Sequence, residues 1–214
     1  YFCSLYIEQG SAGEGNFAEF RTDRKTFRDS LRNISYPSIA ASHDGTKIFM
    51  SAGIIRSTDT YSYIQFGTFT LSEDKQTVVW VGWKTGPSAG TFENENSVGD
   101  AYPWSTSLRV SESGKIGISW INNDFGTPDI STYLSESTDE GATWLATPKT
   151  ILAPVETSQA NYYFVAFNTD FWYAGDVAHG VLGGFYYNRD SAAGFYIPQS
   201  GSPLYWNDKM HSTV

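Results

Sequence analysis

The stretch Ser137-Thr138-Asp139-Glu140-Gly141-Ala142-Thr143-Trp144 constrains the fold of this chain more than any other. A short acid, a glycine and a threonine–tryptophan pair at this spacing suit a tight turn between two β-strands. Asp139 is an acceptor short enough to tie down the amides of its own turn, and Gly141 enters left-handed backbone at little cost. Thr143 and Trp144 are expected to open the following strand, with the indole as a large apolar wedge.

The rest of the chain repeats the grammar that this turn completes. Strands are expected over residues 1–7 and 17–21, separated by a Gly-rich turn over 8–16. Tyr36-Pro37 then begins a fuller unit, with strands over 38–42, 47–56, 61–71 and 78–83. His43-Asp44-Gly45-Thr46 is its hairpin turn with the Asp-Gly signature. After a polar loop over 86–99, Tyr102-Pro103 repeats Tyr36-Pro37, and strands are expected over 105–111, 115–120 and 129–136. In the second of these, Ile116, Ile118 and Trp120 fall on one face. The two Tyr-Pro pairs lie about 66 positions apart, and Asp74 and Asp139 about 65, so two landmarks give one period of four strands. Beyond Pro154, strands are expected over 162–168, 184–188 and 194–197. Residues 176–180 read as the start of a further unit, with Phe185-Tyr186-Tyr187 in its second strand.

The order S-x-D-x-G-x-T-W in residues 137–144 resembles the Asp-box of sialidase-like β-propellers residue for residue. A second copy is recognisable at Ser72-Glu73-Asp74-Lys75-Gln76-Thr77, and a shortened one at Thr22-Asp23-Arg24-Lys25-Thr26-Phe27. The resemblance spans residues 18–154. It implies an all-β fold, a partial β-propeller of four-stranded antiparallel blades: a blade end over 1–30, whole blades over 36–85 and 102–154, and a partial blade over 160–214. It also implies that Ser137, Asp139, Gly141, Thr143 and Trp144 are structural, on a turn between third and fourth strands away from the ring axis. About two whole blades cannot close a ring, and open sheet faces and edges invite association. The expectation is therefore a fragment of a longer chain, completed by further chain or by another subunit. Because such propellers are commonly exported, the expected location is extracellular or at the cell surface.

The resemblance raises an enzyme hypothesis. Sialidases are similar to one another in using three arginines for the substrate carboxylate, a tyrosine nucleophile paired with a glutamate, and an aspartate acid/base, with tyrosine replacing the usual carboxylate nucleophile. Arg56, Arg109 and Arg189 fall in or beside successive expected strands. The arginine-bearing F/Y-R-I-P motif has one near match, Phe195-Tyr196-Ile197-Pro198, with Tyr196 where the arginine should be. Glu93, Glu95 and Asp100, in and just after the long loop, are the carboxylates that another glycosidase arrangement would use; a solvated acidic loop explains them equally well. No catalytic residue is assigned.

Composition narrows the partners. A net charge of −9 lacks the clustered Lys and Arg that phosphate backbones need, which argues against nucleic acid as a partner. Cys3 is the only cysteine, so neither an internal disulfide nor a thiolate metal cluster is available. No apolar run reaches the length of a membrane span. The oxygen-rich segment 122–129 lacks the ordered spacing of a calcium loop and is accounted for as turn chemistry. His43, His179 and His211 have no ligand spacing for zinc. No cofactor and no metal is expected.

Aromatic residues make up 16% of the chain. Trp83, Tyr102, Trp104, Trp172, Tyr173 and Trp206 lie in or near expected loops and strand ends, where such side chains stack on sugars, anchor partner proteins or wedge between sheets. Asn33-Ile34-Ser35 is a glycosylation sequon. Together these features predict a recognition or scaffold module that binds a protein partner or a glycan, with a glycoside hydrolase of the sialidase type as the alternative.

Overall fold

The computed structural model describes residues 5–8, 15, 17–20, 32–56, 62–73, 78–85, 103–122, 131–153, 155–158, 161–188, 195–196 and 201–210. These residues form an all-β structure, with no helix among them. Strands β1 (Leu5–Glu8) and β2 (Phe17–Phe20) make a two-stranded hairpin. The first large sheet is a meander of β3 (Arg32–Ala41), β4 (Lys47–Arg56), β5 (Ser62–Leu71) and β6 (Val78–Thr85). The second repeats that order with β7 (Pro103–Val110), β8 (Ile116–Asn122), β9 (Ser131–Ser137) and β10 (Lys149–Leu152). The third is five-stranded. It contains β11 (Val155–Ser158), β12 (Asn161–Ala174) and β13 (Val177–Asn188), with β14 (Phe195–Tyr196) and β15 (Ser202–Asn207) both pairing with β13.

Alternation of side chains along each strand builds two cores between three stacked sheets. Phe49, Ile64 and Phe66 of the first sheet pack against Leu108, Ile116, Ile118 and Trp120 of the second. Ile121, Leu134 and Ile151, on the opposite face of the second sheet, pack against Phe171, Ala178 and Leu182 of the third. Residues 116–121 therefore supply both cores, Ile116, Ile118 and Trp120 to one and Ile121 to the other. A third cluster, Met50, Phe69 and Val78, lies on the far face of the first sheet.

Strands β3, β7 and β12 each carry a register shift, between Ser35 and Ser38, Trp104 and Ser107, and Val165 and Thr169. Such irregularities bend a strand and increase its twist. Counted from the hairpins, Tyr36-Pro37 corresponds to Ser105-Thr106, not to Tyr102-Pro103. Pro37 and Pro103, whose Tyr-Pro pairs are expected to mark one repeat, thus occupy different places in their sheets. The expected start of a unit over 176–180 is also revised. Gly175, at φ +60°, and Asp176 form the hairpin between β12 and β13, so the sheet begins earlier in the chain. Strand β15 was not anticipated, because Gly201-Ser202-Pro203 reads as a loop. Proline is tolerated there on an outer strand.

Several sequence expectations lie outside the described residues: the shortened motif at 22–27, Asp74 and its turn, the acidic loop with Glu93, Glu95 and Asp100, the segment 123–129, Arg189, Pro198 and His211.

Candidate functional site

The turn over residues 137–144 is organised by its own side chains. The Ser137 hydroxyl donates to Asp139 Oδ1 (2.7 Å) and accepts from the Gly141 amide (2.8 Å). The Thr143 amide donates to Asp139 Oδ1 (2.8 Å), and the Thr143 hydroxyl to Oδ2 (2.6 Å). Bonds from the Thr143 hydroxyl, the Thr143 amide and Ser137 hold the Asp139 carboxyl down at about 2. Glu140 and Gly141 both take positive φ, 56° and 79°. A Cβ on Gly141 would strike the ring of Phe66 in the first sheet.

Trp144 does not open the next strand as expected. The Leu145 amide bonds back to the Glu136 carbonyl (3.2 Å), Trp144 meets Phe66 edge-on with centroids 5.3 Å apart, and β10 starts only at Lys149. The turn of one sheet therefore closes over the face of the sheet before it. Lys47 adds an ion pair to Glu140 at 2.6 Å across the same junction.

Asp44 plays an equivalent part in the first hairpin. It accepts from the Ser42 hydroxyl (2.6 Å) and from the amide and hydroxyl of Thr46 (3.0 and 2.8 Å), and these bonds hold its carboxyl at about 2. The Asp-Gly signature pointed to the turn but not to this serine–aspartate–threonine clasp.

Between the second and third sheets lies the most concentrated set of ionisable groups. Glu136, only 9% exposed, pairs with Lys115 at 3.0 Å and with Lys149 at 2.6 Å, and accepts from the Tyr173 hydroxyl at 2.8 Å. Lys149 reaches on to Asp208 at 2.8 Å. Burial alone would push the Glu136 carboxyl up. The bonds from Lys149, Lys115 and Tyr173 together outweigh it and leave the carboxyl below its ordinary value. Burial, and then the charge of Glu136, push the Tyr173 phenol far up. Gly117 lies directly across from Glu136 in the sheet. A Cβ there would collide with the Tyr173 hydroxyl and the Phe171 ring, so the missing side chain is what lets Tyr173 reach the carboxylate.

A tyrosine–glutamate pair is the combination that the sialidase resemblance implies for a nucleophile. Here the phenol stays protonated at neutral pH, and the carboxylate is consumed by two lysines. The pair joins the second and third sheets, and a phenol pushed up by burial lacks the activation that a nucleophile needs. Arg109 is likewise engaged. It pairs with Asp170 of the third sheet at 2.6 Å and donates to the Leu108 carbonyl at 2.8 Å, while Ser107 donates to the same Asp170 oxygen at 2.6 Å. The side chains of Arg56 and Arg189 lie outside the described residues. No cluster of His, Cys, Asp and Glu suited to a metal occurs among the described residues.

A different surface stands open on the outer face of the third sheet. Trp172, His179 and Asn207 are direct cross-strand neighbours, and Val181 and Tyr205 form the adjacent pair on the same face. The Trp172 and His179 rings stack at 5.4 Å with 19° between planes, and His179 lies 5.9 Å from the Tyr205 ring. The Tyr205 hydroxyl bonds His179 Nδ1 at 2.6 Å and accepts from Asn207 Nδ2 at 3.0 Å. Asn207 is itself fixed by the Lys209 amide at 2.9 Å. Of the aromatic residues singled out from sequence, Trp172 belongs to this platform, whereas Tyr173 and Trp206 wedge between the second and third sheets. The side chains of Trp83 and Trp104, and all of Tyr102, lie outside the described residues. His179, weighed in the sequence only as a zinc ligand, and Tyr205, not singled out there, join Trp172 because the strand register brings them beside it.

No family model and no curated protein matches the chain. Among solved structures it is similar to AtxE2 isopeptidase in its apo form, with a TM-score of 0.31 and 16% identity over 72% of this chain. The matched region is 22% of the length of that protein. A likeness of that degree defines neither family nor activity.

Proposed function

We propose that this chain is a non-catalytic recognition or scaffold module, built as part of an Asp-box β-propeller and working outside the cell or at its surface. The observation that carries this reading is the Trp172–His179–Val181–Tyr205 platform, a rigid and largely apolar face left open to solvent. Aromatic anchors held in place by neighbouring hydrogen bonds lose little freedom on binding and favour protein interfaces. The polar atoms that a sugar would need, His179 Nδ1 and the Tyr205 hydroxyl, already bond one another. A protein partner therefore fits better than a glycan. The three-sheet meander and the side-chain clasp of residues 137–144 support the propeller reading. The alternative, a sialidase-type hydrolase, has less support, because Tyr173, Glu136 and Arg109 are all spent on joining sheets. No helix among the described residues is long and apolar enough to cross a membrane.

The test is site-specific photo-crosslinking. A photoreactive residue at position 172, on the surface of the source cell, is expected to yield a protein adduct that unlabelled wild-type chain competes away and that Val181→Lys chain does not. An adduct to glycan alone, or hydrolysis of a fluorogenic sialoside by the purified chain, contradicts the proposal.

A further inference from the structure

The platform on the third sheet carries a hydrogen-bond relay whose direction is fixed from one end. A backbone amide can only donate, so the 2.9 Å bond from the Lys209 amide identifies the receiving atom of Asn207 as its side-chain oxygen. The side-chain nitrogen of Asn207 then points the other way and donates to the Tyr205 hydroxyl at 3.0 Å. A phenol has one proton to pass on, and the next atom in line is His179 Nδ1 at 2.6 Å. That separation is shorter than the roughly 2.7–3.2 Å at which a nitrogen donates to an oxygen, and it suits a phenolic O–H as the donor. Bonds that run head to tail also polarise and strengthen one another. All of these give one sense: Lys209 amide to Asn207, Asn207 to Tyr205, Tyr205 to His179.

A neutral imidazole carries one N–H. With Nδ1 accepting, that proton sits on Nε2. Nε2 has no hydrogen-bond partner among the described residues. The ring is held from two sides, stacked on Trp172 and set against Tyr205, which are 44% and 52% exposed. The platform thus offers a donor whose position is set before anything binds.

From this relay we propose that His179 sets the specificity of the platform: locked as the Nε2–H tautomer, it donates to a neutral carbonyl oxygen of a protein partner seated against Trp172. The proposal rests on reading the platform as a protein-binding surface, and it names the group recognised there. A carboxylate also accepts, but the net charge of −9 opposes an anionic group and favours the neutral carbonyl. A donor already held by packing and hydrogen bonds loses little freedom on binding, and a partner without an acceptor leaves it desolvated and unpaired.

Asn207→Asp tests the relay because it is nearly isosteric and reverses it. A carboxylate has no proton to give, so it accepts from both the Lys209 amide and the Tyr205 hydroxyl. Tyr205 then accepts from Nδ1–H of His179, and Nε2 becomes an acceptor. Two-bond ¹H–¹⁵N correlation NMR of the histidine-labelled chain, at a pH where the ring is neutral, reads the tautomer. The wild type is expected to show Nε2–H, Asn207→Asp to show Nδ1–H, and Tyr205→Phe, which removes the phenol, to show a mixture of the two. In competition for the protein adduct formed at position 172, Asn207→Asp chain is expected to be weaker than wild type by about tenfold or more. Near-ultraviolet circular dichroism establishes that the variant is folded, with Tyr205→Phe replacing it in both measurements if it is not. An Nδ1–H tautomer in the wild type, or a tautomer unchanged by the substitution, overturns the proposal whatever the platform binds. An Nε2–H tautomer with variant chain competing as well as wild type overturns the role of His179 and leaves the protein-binding reading standing. Absence of any protein adduct at position 172 overturns that reading and the proposal with it.

Discussion

Asp139 invites a catalytic reading that its surroundings remove. Its two oxygens take three side-chain and amide donors, and a carboxyl at about 2 holds no proton to give at neutral pH. The consequence is a pH dependence of folding. A carboxyl depressed on folding contributes stability that is complete above its unfolded value of 3.8 and is lost as pH falls through about 2. Asp44 behaves in the same way. Urea melts between about pH 5 and about pH 2 are expected to show stability falling with acid, and Asp139→Asn to shallow that slope. An unchanged slope contradicts the assignment.

Gly141 gives a sharper test at the same scale. Alanine there meets both left-handed strain and the Phe66 ring, and is expected to cost about 2–4 kcal/mol in equilibrium unfolding. These two residues were legible in the sequence because a turn is a local object, written in adjacent positions. Glu136 was not. Its partners come from the hairpin before β8 (Lys115), from β10 (Lys149) and from β12 (Tyr173), and nothing in its own neighbourhood distinguishes it from a solvated acid.

At the scale of elements, the joints between sheets carry the structure. Phe66 touches Phe49 in its own sheet, Trp144 in the next, and the space above Gly141. Phe66→Ala opens a cavity in the first core and is expected to cost about 3–5 kcal/mol, measured by denaturant unfolding. In the second joint, Glu136→Gln leaves two lysines facing a neutral amide, and a loss of about 3 kcal/mol is expected. Gly117→Ala is expected to displace Tyr173 from Glu136, which red-edge tyrosine absorbance or an NMR shift of the Tyr173 ring reports. Strand positions were well legible where alternation was clean. Strand β4 runs Lys47–Arg56, as the sequence predicts. They were less legible where a bulge broke the count, as in β7 and β12, and where a proline opened an outer strand, as in β15.

For the whole molecule, the decisive feature is an asymmetry. Two sheet faces are buried by the following sheet, and the third, bearing Trp172, His179, Val181 and Tyr205, is not. No sequence pattern announces this, because buried and open faces share the same alternation. The account therefore stands on what covers that face. The most direct measurement is photo-crosslinking from position 172 on the surface of the source cell. The account predicts a protein adduct that unlabelled wild-type chain competes away and that Val181→Lys chain does not. An adduct to glycan alone, or a protein adduct that Val181→Lys chain competes away equally, contradicts it.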